Sequence, residues 1–113
     1  MPKGQLVATV LKEKPVQLNL GESITLIDLD KIKFPLIIRN WKEGDRFQPL
    51  GMNGKSKKIN HYLRDKKVSL FDKATVLVVE SAGEIVWVIG YRGDERFKIQ
   101  TTTKNVLQLH KIS

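Results

Sequence analysis

The 113 residues contain no cysteine. Disulfides, thiolate metal sites and thiol nucleophiles are excluded together, and a reducing compartment is compatible with the chain. Histidine is scarce, since His61 and His110 are the only 2, and they stand far apart with no metal-ligand spacing around them. No run of apolar residues approaches the length that crosses a bilayer, and no apolar leader follows the charge of Met1-Pro2-Lys3-Gly4-Gln5. A soluble, cytoplasmic protein without a membrane partner is expected. Acids are under-represented too, and no pair of carboxylates stands out as an acid–base couple, so the inventory for catalysis is thin.

What is present is positive charge. Twenty Lys and Arg face 12 Asp and Glu, for a formal net charge of +8. This balance favours polyanionic partners, because each neutralised phosphate releases condensed counterions. Charge alone does not decide it, since many small basic proteins bind nothing acidic. With 41% hydrophobic and 28% charged residues, the chain has the composition of one small folded domain covering residues 1–113, not of a disordered segment.

Short β-type runs recur along the chain. Leu6 to Leu11 is mostly apolar and β-branched, Val16 to Leu20 alternates apolar with polar, and Lys12 to Pro15 is the turn between them. Ile24 to Ile27 follows the break at Gly21-Glu22-Ser23, and Phe34 to Trp41 reads as a half-buried strand with Pro35 near its start. Val76 to Val79 and Ile85 to Ile89 predict a central hairpin with a longer loop through Glu80 to Glu84. Phe97 to Thr103 and Val106 to Leu109 are further strand candidates.

Ser56 to Lys67 is the one predicted helix, capped by Ser56, with Ile59, Tyr62 and Leu63 as its apolar stripe and Lys57, His61 and Arg64 on the opposite face. Helix and flanking loop supply Lys55, Lys57, Lys58, Arg64, Lys66 and Lys67 against the single acid Asp65. Such a patch reads either as a solvated face or as contact with an RNA backbone. His61 could donate to a phosphate or 2′-hydroxyl, and is equally well an idle surface histidine. Arg39 and Arg46 flank the Gly44-Asp45 turn. Either Asp45 caps that turn and pairs with one of them, or they join Lys42 in a second phosphate site. Arg92 and Arg96 are weaker candidates because Asp94 and Glu95 between them offset the charge. Trp41 and Trp87 sit in apolar runs and are expected as core anchors before base-stacking platforms. Gly54-Lys55-Ser56 resembles the end of a phosphate-binding loop, but Pro49 occupies the place of its first glycine. Arg92-Gly93-Asp94, which spells an adhesion tripeptide, reads as a turn.

From Phe34 to Lys98 the order of signals is Arg39-x-Trp41, Gly44-Asp45-Arg46-Phe47-x-Pro49-Leu50-Gly51-Met52, Lys57-Lys58, Asp65-Lys66-Lys67, and Ile85-Val86-Trp87-Val88-x-Gly90. It resembles the C-terminal domain of tRNA(Ile)-lysidine synthetases, with residues 1–33 as leading strands. The resemblance implies a mainly β (α+β) fold: a compact β-sandwich-like core of short, largely antiparallel strands with one amphipathic helix packed on one side. It further implies that this domain holds the acceptor stem of isoleucine tRNA. A separate N-terminal catalytic domain, whose Ser-Gly-Gly-x-Asp-Ser loop is absent from these residues, would use ATP (with magnesium) to join lysine to the wobble cytidine. No cofactor is expected in the domain itself. Members of the family carry an arginine before the Val76-type strand; here Phe71-Asp72-Lys73 makes Lys73 the candidate, with charge kept and the bidentate fork lost.

A-form RNA hides its base edges, so basic side chains that follow phosphates and 2′-hydroxyls suffice to hold a stem. The competing reading is a protein-interaction module that packs on the catalytic domain or on a second copy through exposed strand edges. An independent small enzyme has the least support.

Overall fold

In the computed structural model, residues 5–13 and 21–112 are described. In chain order the strands and helices are β1 (Gln5–Leu11), β2 (Ile24–Asp28), β3 (Leu36–Asn40), β4 (Arg46–Phe47), β5 (Lys57–Lys58), α1 (Ile59–Asp65), α2 (Leu70–Lys73), β6 (Leu77–Ser81), β7 (Glu84–Val88), β8 (Arg92–Gly93) and β9 (Val106–Ile112). They form a three-stranded sheet in the order β1-β9-β2, a four-stranded sheet β3-β6-β7-β8, and a small ribbon β4-β5. Every paired neighbour is antiparallel. This is the mainly β arrangement with a helix on one side that the resemblance implies, and it agrees with the many short strand runs of the sequence.

The four-stranded sheet is covered on both faces. On one side Val79, Val86 and Trp87 pack with Ile27, Phe97, Leu107 and Leu109, joining it to the three-stranded sheet as a sandwich. On the other, Val78, Ile85 and Val88 pack with Phe47 of β4 and with Ile59, Tyr62 and Leu63 of α1. A strand buried on both faces reads as an unbroken apolar run, which is why Ile85 to Ile89 shows no alternation. The pairing register shifts between Val79 and Glu80, so Val86 is an inserted residue, and it shares the sandwich face with Trp87.

Several expectations are corrected. The β6–β7 hairpin closes through two residues, Ala82 and Gly83, at φ 50° and 86°, and not through a longer loop. Positive φ at both positions matches the right-handed twist of the strands. The helix begins at Ile59, three residues later than Ser56, because Lys57 and Lys58 extend to pair with Phe47 and Arg46. Ser56 is therefore not the cap; its hydroxyl accepts from Arg46 Nε at 3.0 Å. Lys57 consequently lies on β5 and off the helical face of His61 and Arg64. Phe97 to Thr103 is not a strand. Asp94 Oδ1 accepts the Arg96 N–H at 2.8 Å to start a 3-10 turn over Glu95–Phe97, and Thr103 Oγ1 takes the Gln100 N–H at 2.7 Å. Side-chain acceptors replace ladder bonds there. The single turn α2, capped by Ser69, has Leu70 and Phe71 exposed, so periodicity did not disclose it. The predicted strand Val16 to Leu20, and Lys14 and Pro15 of the turn before it, lie outside the described residues.

Candidate nucleic-acid interface

The basic region is assembled on the β4-β5 ribbon and α1. Phe47 points inward and is 1% exposed, so its neighbour Arg46 faces out, directly opposite Lys58 on β5. Burial of Ile59, Tyr62 and Leu63 leaves Arg64 exposed and His61 half-buried on the outer side of the helix. Asp65 sits among these cations: its carboxylate meets Lys57 Nζ at 2.5 Å, and Arg64 and His61 are near enough to act on it electrostatically. The hydrogen bond from Lys57 holds the Asp65 carboxyl below its ordinary range.

Past the helix, Lys67 takes φ 61°, and its N–H and that of Val68 bond to the carbonyls of Arg64 and Leu63 at 2.9 and 3.1 Å. This is a left-handed helix stop in which lysine stands where glycine is favoured. Lys66 places its ammonium 5.8 Å from the centroid of the Tyr62 ring. Lys55 is exposed in the loop before β5.

The Lys42 turn abuts the same helix. The Ile59 N–H donates to the Asp45 carbonyl at 2.9 Å, and Asn60 Nδ2 donates to Glu43 at 2.9 Å. Lys42 is exposed there, but Arg39 is engaged internally. Arg39 donates to Asp45 through Nη1 and Nη2 at 2.9 and 3.1 Å, to Glu80 through Nε at 2.8 Å, and to the Asn40 carbonyl. Asp45 also accepts the Lys42 N–H at 2.8 Å, so it both caps its turn and pairs with Arg39. Burial works against the Asp45 carboxylate, yet Arg39 and the Lys42 N–H outweigh it and hold that carboxyl below the usual range. Lys73 ends α2 with its ammonium 5.7 Å from the centroid of Trp41, whose indole N–H donates to the Lys73 carbonyl at 2.7 Å.

Thus the ribbon and helix carry Arg46, Lys57, Lys58, His61 and Arg64, with Lys66 and Lys67 just past the helix end and Lys42 in the turn that abuts its start. Among the described residues, the sequence-nominated cations in salt bridges are Arg39, Lys57 and the weaker candidate Arg96. Arg92 and Arg96, alike in the sequence, are treated differently by the fold. Asp94 pairs with Arg96 at 2.9 Å and Glu95 with Lys98, so neither acid neutralises Arg92. Arg92 instead donates to the Leu50 carbonyl at 3.1 Å and joins Lys57 and Lys66 around a cleft. No local sequence signal separates Arg92 from Arg96. Among the described residues, no cluster of three His, Asp or Glu is arranged to hold a metal, and no helix is long and apolar enough to cross a membrane.

Fold and site together define a small two-core β domain with a basic edge. Residues 36–110 match the family described as the TilS substrate C-terminal domain, and the chain belongs to that family. It is 44% identical over 103 residues to a tRNA(Ile)-lysidine synthase of Parabacteroides distasonis, covering 91% of this chain and 22% of that protein. A second synthase, from Caldanaerobacter subterraneus, is 42% identical over 89 residues, covering 79% of this chain and 19% of that protein. The chain thus spans about a fifth of the length of these relatives. A solved structure described as "Crystal structure of TILS C-terminal domain" superposes with a TM-score of 0.83 at 21% identity, covering 96% of this chain and 82% of that one. At that identity the likeness speaks for the fold.

Proposed function

We propose that this domain grips transfer RNA for a tRNA-modifying enzyme: it holds the acceptor stem of isoleucine tRNA for a separate catalytic domain. That domain would use ATP, with magnesium, to attach lysine to the wobble cytidine. The proposal draws on the activity named for the relatives. The observation that carries it is that exposed Arg46 and Lys58 stand opposite each other on the ribbon, with exposed Arg64 on the helix that continues from it, and that no carboxylate is paired to any of them among the described residues, while neighbouring acids are engaged elsewhere. Flexible lysines would supply attraction along the phosphate ridge, and arginines geometry. Lys42, Lys55, His61, Lys66, Lys67 and Lys73 would extend that edge, whereas Arg39 would act by fixing the Lys42 turn. Linkage to a catalytic domain with its own contacts would raise the combined affinity through effective concentration.

The test is titration of an acceptor-stem minihelix at several salt concentrations. Binding should weaken as salt rises, by roughly 0.7–0.9 in log–log slope per neutralised phosphate. Lys58→Glu with Arg64→Glu should weaken it further, and unchanged affinity in that double variant would reject the reading.

A second reading rests on Leu70 and Phe71, which are 84% and 83% exposed, and on exposed Ile37 and Ile38 of β3. Apolar side chains in water suit a protein contact, either with the catalytic domain or with a second copy. A concentration-dependent dimer without RNA affinity would favour it.

A further inference from the structure

Tyr62 is 4% exposed, and its ring is held edge-on against Phe47 with centroids 5.2 Å apart. Its hydroxyl is buried and has no hydrogen-bond partner, the one such side-chain atom among the described residues. Buried hydroxyls ordinarily find partners, because leaving one unmade forfeits its hydration without replacement. Arg92 approaches the hydroxyl and acts on it by charge and by side-chain contact, but a guanidinium can only donate, so the phenol proton itself is left without an acceptor.

The surroundings of that hydroxyl are selective. Tyr62 lines an open cleft of about 320 Å³ together with Met52, Lys57, Asp65, Lys66 and Arg92. Three cations converge there from β5, the end of α1 and β8. The single carboxylate, Asp65, is already paired with Lys57. An uncommitted phenol donor facing a surplus of positive charge suits an anionic oxygen acceptor, and it disfavours a cation or an apolar group. The arginine offers a fork and the lysines point charges, which together fit the several oxygens of a phosphoryl group.

We propose that this cleft is a phosphoryl-binding subsite in which Tyr62 donates its hydroxyl proton to a phosphate oxygen while Arg92, Lys66 and Lys57 balance the charge. The assignment rests on the RNA reading for the source of the phosphoryl group. That source is either a backbone diester or a 5′-terminal monoester. The subsite differs from the exposed edge of Arg46, Lys58 and Arg64 in being a recess with a donor that does not depend on salt.

The test uses the 113-residue chain and its Tyr62→Phe variant, which removes only an unpartnered oxygen and should melt no lower than the parent. Inorganic phosphate is the first probe, followed by NMR. Saturable shifts around Tyr62, Lys66 and Arg92 are expected in the parent, weakened about tenfold in Tyr62→Phe, the worth of one hydrogen bond to a charged acceptor. Hairpin RNAs with a 5′-phosphate and a 5′-hydroxyl are the second probe. If a terminal monoester occupies the cleft, the parent prefers the phosphorylated hairpin and Tyr62→Phe loses that preference. If a diester does, the variant weakens both hairpins alike. RNA affinity identical in parent and variant, together with no saturable phosphate shift, would overturn the subsite and leave the RNA reading intact. Phosphate binding lost in the variant, with no RNA bound by either protein, would uphold the subsite and overturn the RNA reading.

Discussion

Arg92 and Arg96 flank the same two acids, Asp94 and Glu95, and the fold treats them oppositely. Arg96 is clasped by Asp94 through Nε and Nη2, both at 2.9 Å, and reaches Glu84 at 3.0 Å. The hydrogen bond to Asp94, opposed by burial, raises the pKa of its guanidinium. Arg92 has no carboxylate partner among the described residues: it donates to the Leu50 carbonyl and lines the cleft. What separates them is Asp94, which is 3% exposed and aimed at its own 3-10 turn, where it also takes the Gln48 N–H at 2.8 Å. An acid engaged by backbone and one arginine has nothing left for the other. Counting charges along the chain therefore misjudges which cations are available.

The severest way to break this comparison is Asp94→Ala. It strips the Gln48 and Arg96 N–H groups of their acceptor and leaves the guanidinium only its Glu84 partner, and should cost about 2–4 kcal/mol in denaturant unfolding. Arg92→Ala should cost about 1 kcal/mol or less, since it removes one partly exposed bond to a carbonyl. RNA affinity should fall in the Arg92 variant. Equal stabilities for the two variants would erase the distinction between an anchored and a free arginine.

Arg39 extends the contrast to a second site. Arg39→Ala breaks its bonds to Asp45 and Glu80 and should cost roughly 2–3 kcal/mol, again by unfolding. The pH dependence follows from Asp45, whose folded pKa is depressed below the usual carboxylate value of 3.8. A depressed acid contributes fully above the unfolded-state pKa, and its contribution disappears as pH falls through the lower, folded value. The parent should therefore exceed Asp45→Asn in stability at neutral pH, with the gap closing below about pH 4. A gap that persists unchanged at pH 2 would contradict the role of that carboxylate.

How much of this was legible in the sequence depends on the range of the forces involved. The strand-rich class, the twin-faced run Ile85 to Val88 and the family signature from Phe34 to Lys98 are patterns of neighbours, and they were readable. The helix start was not, because Lys57 and Lys58 are drawn into a ribbon by Arg46 and Phe47, whose approach needs the intervening loop to fold. The same holds at the site. That Arg39 would divide its donors between Asp45 and Glu80, 41 residues away, follows from the pairing of β3 with β6 and from no local rule. Tyr62 was legible as an apolar-stripe residue, but the isolation of its hydroxyl depends on which side chains close around it.

Lys67 sharpens the comparison at the smallest scale. Its φ of 61° places it in the left-handed region, where a side chain carries a steric cost that glycine escapes. Lys67→Gly relieves that cost, offset in part by the greater freedom of glycine in the unfolded chain, and should raise stability by about 0.5–1 kcal/mol. It also deletes an exposed cation at the end of α1, so affinity for the minihelix should fall and the salt slope should shrink by up to about one phosphate. Opposite signs in the two measurements are the diagnostic result. A gain in stability with unaltered RNA binding would make Lys67 an ordinary helix stop and remove it from the basic edge.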